Sequence, residues 1–207
     1  MERVAQVQCR AVAIVERAVR LLPAEGHVRM PWRNGGGETV EIASEPPQAG
    51  LTAFDWRVSI AEVARDGPFS RFPGVARTLV LLDGAGLRLD GANVHHTLAA
   101  RHAILTLRGD DAVQCSLLEG AVRIFNVMVR SPRPAPVALV TDGDVDVAAD
   151  GLAIGYAARG TLAVMARAGR LVVKPGDAFI HATGMPFTVR PIGDALGVIA
   201  MIPGRAA

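Results

Sequence analysis

No stretch of this chain has the apolar periodicity of a helix of ordinary length. Short alternating runs recur instead between Gly- and Pro-rich turns. TLVLL, LRLD, HAILTL, VQCSLL and VRIFNVMV come before residue 131, and ALVTD, GLAIGYAA, TLAVMA, RLVV, PFTVRP and LGVIAMI come after it. AEVARD and GVIAMI are short enough to fit either strand or helix. Successive strand residues point to opposite faces, so each run offers one apolar face to a core. Regularly spaced short strands with such turns predict an all-β sandwich or barrel. Asp83–Gly84 and Asp90–Gly91 are hairpin signals. The Pro-rich segment 131–136, SPRPAP, reads as a linker between two similar β-rich halves. The similarity of the halves rests on strand rhythm alone, since no residue-level repeat is visible.

Half of the 207 residues are hydrophobic and the net charge is +2, so neither half carries the basic footprint of a nucleic-acid partner. No apolar run of about 18 residues occurs, and no membrane partner is expected. The two cysteines, Cys9 and Cys115, form no CxxC, which favours a reducing, cytoplasmic setting over a disulfide framework. Charges at Glu2, Arg3, Arg10, Glu16 and Arg17 interrupt the first residues. These are read as a poorly ordered extension over 1–13, with a strand near 11–15, rather than as a targeting segment.

Residues 30–42 read MPWRNGGGETVEI. Three consecutive glycines cost much backbone entropy on folding, so the chain needs positive φ there or backbone in close approach. Asn-Gly is a tight-turn signal, and the exposed amides of such a turn can cup an anion. A plain turn before a strand and a binding loop both remain open. In FDWRVSIAEV, residues 54–63, Trp56, Val58 and Ile60 share one strand face while Arg57 and Ser59 share the other. If the Trp face packs against a second sheet, Arg57 and Ser59 line a barrel interior, where a guanidinium holds carboxylates well. In the reverse orientation Arg57 lies in water, and Arg71 and Arg77 carry the same ambiguity. GPFSRFPG, residues 67–74, is irregular by composition, and its two Phe rings imply a loop folded back over the body.

Metal and nucleophile chemistry find little support. His95 and His96 are adjacent, hence on opposite strand faces, and no carboxylate follows at ligand spacing. Asp142, Asp144 and Asp146 begin like a calcium loop, but Val147 and Ala153 stand where Gly and Glu are required, so a solvated edge strand is the expectation. No GxSxG occurs, and no GxGxxG leads into a helix.

PWRNGGGETVEI, FDWRVSIAEVARDGPFSRFPG and FNVMVR, in that order, resemble the motifs of the HutD/Ves family. The resemblance covers about residues 15–130 by motif and the remainder by strand rhythm and length. It implies a bicupin: two small β-barrels of the RmlC-like cupin type in one chain, often dimeric. The first would span 14–130 and the second 131–207, with shared strands between them left open. Family members are tied to histidine utilisation and to stress-inducible roles. The implied partner is a small carboxylate such as N-formylglutamate, bound without catalysis, cofactor or metal. Trp32, Asn34, Gly35, Gly36, Gly37 and Thr39 fall on matching positions, as do Arg57, Ser59, Phe69, Ser70, Arg77 and Asn126. Arg57 and the glycine-loop amides would take the carboxylate, Ser59, Ser70 and Asn126 would orient it, and Trp32 and Phe69 would exclude water. Three departures stand out: Arg33 where Lys is common, Ala76 where an acidic partner for Arg77 is frequent, and a weak match at ILTLRGDD. Two other classes stay open: a metal-dependent cupin oxygenase or isomerase, and a protein acting only through partner contacts.

Overall fold

The computed structural model describes residues 19–32, 35–148, 151–181 and 185–204. The extension expected over 1–13 and the strand near 11–15 lie outside them, as do Arg33 and Asn34. Among the described residues the chain is strand and turn apart from one 3-10 turn, Ala24–Gly26.

Three antiparallel sheets form. The first has six strands in the order β2 (Val28–Pro31), β3 (Gly37–Glu45), β4 (Trp56–Val63), β11 (Val122–Arg130), β6 (Val75–Asp83) and β9 (Ile104–Arg108). The second has four, β5 (Gly67–Pro68), β10 (Val113–Leu117), β7 (Leu87–Gly91) and β8 (Val94–Leu98). The third runs β1 (Val19–Leu22), β16 (Ala178–His181), β14 (Leu152–Ala166), β17 (Phe187–Ile202) and β12 (Val137–Thr141). To it β13 (Val145–Val147) adds beside β17, and β15 (Gly169–Val173) beside β14. β1 pairs with β16, so an early strand completes the sheet of the later half.

The strand rhythm survives with local changes. GLAIGYAA and TLAVMA are one strand, β14, because the break between them is a pair of register shifts at 157–161 rather than a turn. Gly160 sits there at φ +62°, where a Cβ would lie 2.6 Å from that of Ala195, so glycine permits the kink. PFTVRP and LGVIAMI likewise run together as β17, and GVIAMI resolves as strand. Residues 61–63 of AEVARD end β4. Asp90–Gly91 does lead into a hairpin, with Gly91 opposite Val94. Asp83–Gly84 instead carries the chain from β6 in one sheet to β7 in another. Gly84 passes so close to residues 121–122 that a Cβ would sit 2.6 Å from the Ala121 carbonyl. The Pro-rich segment 131–136 is tied down: Thr78 Oγ1 donates to the Pro136 carbonyl at 2.7 Å and Arg133 to that of Pro203 at 3.0 Å.

The central strands of the six-stranded sheet, β4, β11 and β6, are buried on both faces. The sheet's outer face presents Trp56, Val58, Ile60, Val80, Phe125 and Val127, which pack with Ile154, Tyr156, Val198 and Ala200 of the seven-stranded sheet. Phe125 stacks on Tyr156 with centroids 6.1 Å apart. At one end of the inner face, Val63, Leu79, Leu81 and Ile124 pack with Leu87, Leu89 and Cys115 of the four-stranded sheet. The later half is filled by a separate cluster around Leu162, Phe179 and Phe187. Phe125→Ala, which empties the seam between the halves, should cost about 3–5 kcal/mol in denaturant unfolding; a loss under about 1 kcal/mol would mean that the seam holds little of the fold.

Candidate anion-binding cavity

The other end of the same inner face is polar, and the ladder registers show why. Ser44, Arg57, Met128 and Arg77 are successive partners across β3, β4, β11 and β6. The next row is Glu41, Ser59, Asn126 and Leu79, and the next is Thr39, Ala61, Ile124 and Leu81. Charge thus gives way to aliphatic packing within three rows. Glu41 and Ser44 are three apart and would face opposite ways on a regular strand. A bulge between Glu41 and Ala43 returns both to the inside.

Part of these rows borders a cavity of about 410 Å³ lined by Arg57, Arg77, Asn126, Thr39 and Ser70, with Trp32, Phe69, Phe72, Met30, Met128 and Leu51 as apolar wall, whereas Glu41, Ser44 and Ser59 are not part of the lining. Arg57 is 2 % exposed. Its Nε donates to Glu41 Oε2 at 2.6 Å, and the other Glu41 oxygen accepts from Ser44 Oγ at 3.0 Å. Arg57 Nη2 is buried with no acceptor among the described residues, and the Ser59 hydroxyl is equally without a partner there.

Arg77 is the less compensated cation. It donates to the Ser70 carbonyl at 3.1 Å and reaches the Asn126 Oδ1 at 3.5 Å, while its buried Nε finds no acceptor among the described residues. Its guanidinium carbon lies 4.4 Å from the Phe69 ring centroid and 5.2 Å from that of Phe72. Both rings come from the irregular segment 67–74, which folds over the body as its composition predicts. Burial pushes the Arg77 pKa down to about 9, and the Arg57 charge acts in the same direction. The group stays charged at neutral pH, so the depression measures the cost of holding it without a carboxylate.

The structure redistributes the roles expected from sequence. Arg57 faces inward with Ser59, and its Nε is already engaged by Glu41 while Nη2 is not. Gly35, Gly36 and Gly37 are not part of the cavity lining. They close the β2–β3 hairpin: Gly35 is at φ +66°, Trp32 N–H donates to the Gly37 carbonyl at 2.9 Å, and a Cβ at Gly37 would lie 2.0 Å from the Glu62 carbonyl oxygen. The close approach lets Trp32 lie beside the strand, where its Nε1 donates to Thr39 Oγ1 at 2.8 Å. Asn34 lies outside the described residues. Ala76 is on the face opposite Arg77, so an acid there would not have answered that charge within the cavity. Arg71 stays exposed against the Asp110 carbonyl.

Glu41, Ser44, Phe72 and Met128 are the neighbours that sequence reasoning passed over. Glu41 was within reach of it, since strand alternation from Thr39 puts it on the same face. Ser44 was not, because a bulge leaves no periodic trace.

The histidines lie elsewhere. His95 bonds Asp90 at 3.1 Å on the exposed β7–β8 hairpin. His181 is buried in the later half against the Phe187 ring, and burial lowers its pKa. Among the described residues no three His, Cys, Asp or Glu side chains converge as a metal site. Asp144 and Asp146 pair with Arg190 and Thr188 on β17. No helix among these residues is long and apolar enough to cross a membrane.

The architecture is that of a cupin-like all-β protein: a cupin 2 conserved barrel domain protein from Leptotrichia buccalis superposes with TM-score 0.53 at 11% identity, over 79% of this chain and 88% of that one. The HutD family model matches residues 24–192, and the chain belongs to that family. It is 44% identical over 103 residues to Protein Ves of Citrobacter koseri, which is 49% of this chain and 53% of that protein. The match therefore spans about half the length of this relative. A conserved protein of unknown function from Pseudomonas aeruginosa PAO1 superposes with TM-score 0.80 at 30% identity, over 90% of this chain and 99% of that one. HutD from Pseudomonas fluorescens SBW25 does so with TM-score 0.72 at 27% identity, over 90% and 100%.

Removing Glu41 leaves a second buried guanidinium unanswered. Glu41→Ala should cost about 3–5 kcal/mol of folding stability, read by denaturant titration at pH 7, and an unchanged midpoint would mean that the pair is not buried in solution.

Proposed function

We propose that this chain is a non-catalytic bicupin of the HutD/Ves type that binds a small carboxylate, such as N-formylglutamate, and so modulates histidine utilisation. In this reading the six- and four-stranded sheets make one cupin unit and the seven-stranded sheet the other, and the ligand lies in the first. The protein works in the cytoplasm, as a homodimer, without a nucleic-acid or membrane partner.

One observation carries the reading: two buried guanidinium groups at the cavity face a single carboxylate, Glu41, and each keeps a buried N–H without an acceptor among the described residues. An unpaired buried charge is costly, and a bound anion relieves that cost. Arg77 is the principal receptor. Its planar fork suits carboxylate oxygens, and desolvation by Phe69 and Phe72 strengthens the contact. Arg57 Nη2, the Ser59 hydroxyl and the Asn126 amide supply further polar contacts, and Trp32 and Phe69 keep water out.

Calorimetric titration with N-formylglutamate, urocanate and glutamate tests the reading, and heat from none of them would overturn it. Arg77→Gln should weaken binding by about 1.5–3 kcal/mol, the worth of a charge-assisted hydrogen bond. Unchanged affinity in that variant would move the anion elsewhere.

A further inference from the structure

We propose that the interior of this cavity accepts one carboxylate and no more, and that Glu41 is the residue that sets the limit. The inference rests on the small-carboxylate reading above and narrows it to ligands that place one carboxylate in the interior, the remaining atoms being neutral or, like the second carboxylate of N-formylglutamate, lying at the mouth.

The basis is a count of buried charge. Arg57 and Arg77 bring two positive charges to the inner face, each 5 % exposed or less. Glu41, 7 % exposed, removes one of them. Its carboxylate is not free to step aside, since one oxygen holds Arg57 Nε at 2.6 Å and the other accepts from Ser44 at 3.0 Å. Among the described residues one positive charge is left for a ligand, and it sits on Arg77, whose nearest partners there are a carbonyl, an amide oxygen and two aromatic rings.

A first carboxylate therefore brings the interior to neutrality. A second would have no cation to meet and would stand near Glu41, where like charges in a desolvated site repel. The rest of the wall agrees with a neutral ligand body. Trp32, Phe72, Met30 and Met128 offer apolar surface, while Asn126, Thr39 and Ser70 offer uncharged hydrogen-bonding groups. With Gln at position 41 the same interior would carry two uncompensated cations and would match a dianion. Glu41 thus acts on specificity through Arg57 and need not touch the ligand.

N-formylglutamate and its two monoamides, N-formylglutamine and N-formylisoglutamine, differ by one charge at nearly constant size. Calorimetry should find that wild-type protein holds at least one monoamide as tightly as the dianion or more tightly. Glu41→Gln should shift the preference at least tenfold toward the dianion. Wild-type protein that prefers the dianion tenfold over both monoamides overturns this inference alone. So does a folded Glu41→Gln protein whose preference is unchanged. Wild-type protein that binds none of the three overturns this inference, and the small-carboxylate reading falls with it when urocanate and glutamate give no heat either. If melting shows that Glu41→Gln does not fold, the wild-type comparison decides by itself.

Discussion

A guanidinium shut inside a β-sheet has to be answered by negative charge, and the inner face of β4 is organised around that demand. Arg57 is answered from within by Glu41, at 2.6 Å, with Ser44 fixing the second carboxylate oxygen. Among the described residues Arg77 is answered by a carbonyl, a long contact to Asn126 and the faces of two rings. The bulge in β3, the inward turn of Ser44 and the folding of segment 67–74 over the cation all follow from accommodating these charges.

The same strands serve the rest of the molecule. With a side-chain period of two, β4 and β11 give one face to the seam with the seven-stranded sheet and the other to the cavity. Phe125 and Val127 pack outward, while the intervening Asn126 points inward. The site is thus held on central strands that are paired on both sides, which restricts how far Arg57, Ser59 and Asn126 can move relative to one another.

Much of this was legible in the chain. The alternation of FDWRVSIAEV foretold that Trp56 and Arg57 would part company, and the Phe residues of 67–74 foretold a loop turned back on the body. What stayed hidden was of two kinds. Irregularities do not announce themselves: the shift that brings Ser44 inside and the kinks that keep β14 continuous past Gly160 have no periodic signature. Partnerships between strands are equally silent, because nothing in GETVEIASE states that Glu41 will meet a residue sixteen positions on. The neighbour of the glycine triplet was hidden for a related reason. The triplet signals backbone in close approach, and for Gly37 that approach is to the Glu62 carbonyl.

Among the described residues the later half is packed around aromatic and aliphatic side chains. Phe179 and Phe187 meet edge to face at 5.8 Å, and Gly155 lies flat enough against Phe179 that a methyl group there would sit 2.0 Å from the ring. Hollowing out that half would require several compensating substitutions at once, whereas single exchanges around Arg77 already alter a space that exists. A change of side chain near Arg77 therefore acts on existing space, while one beside Phe179 acts on packed rings.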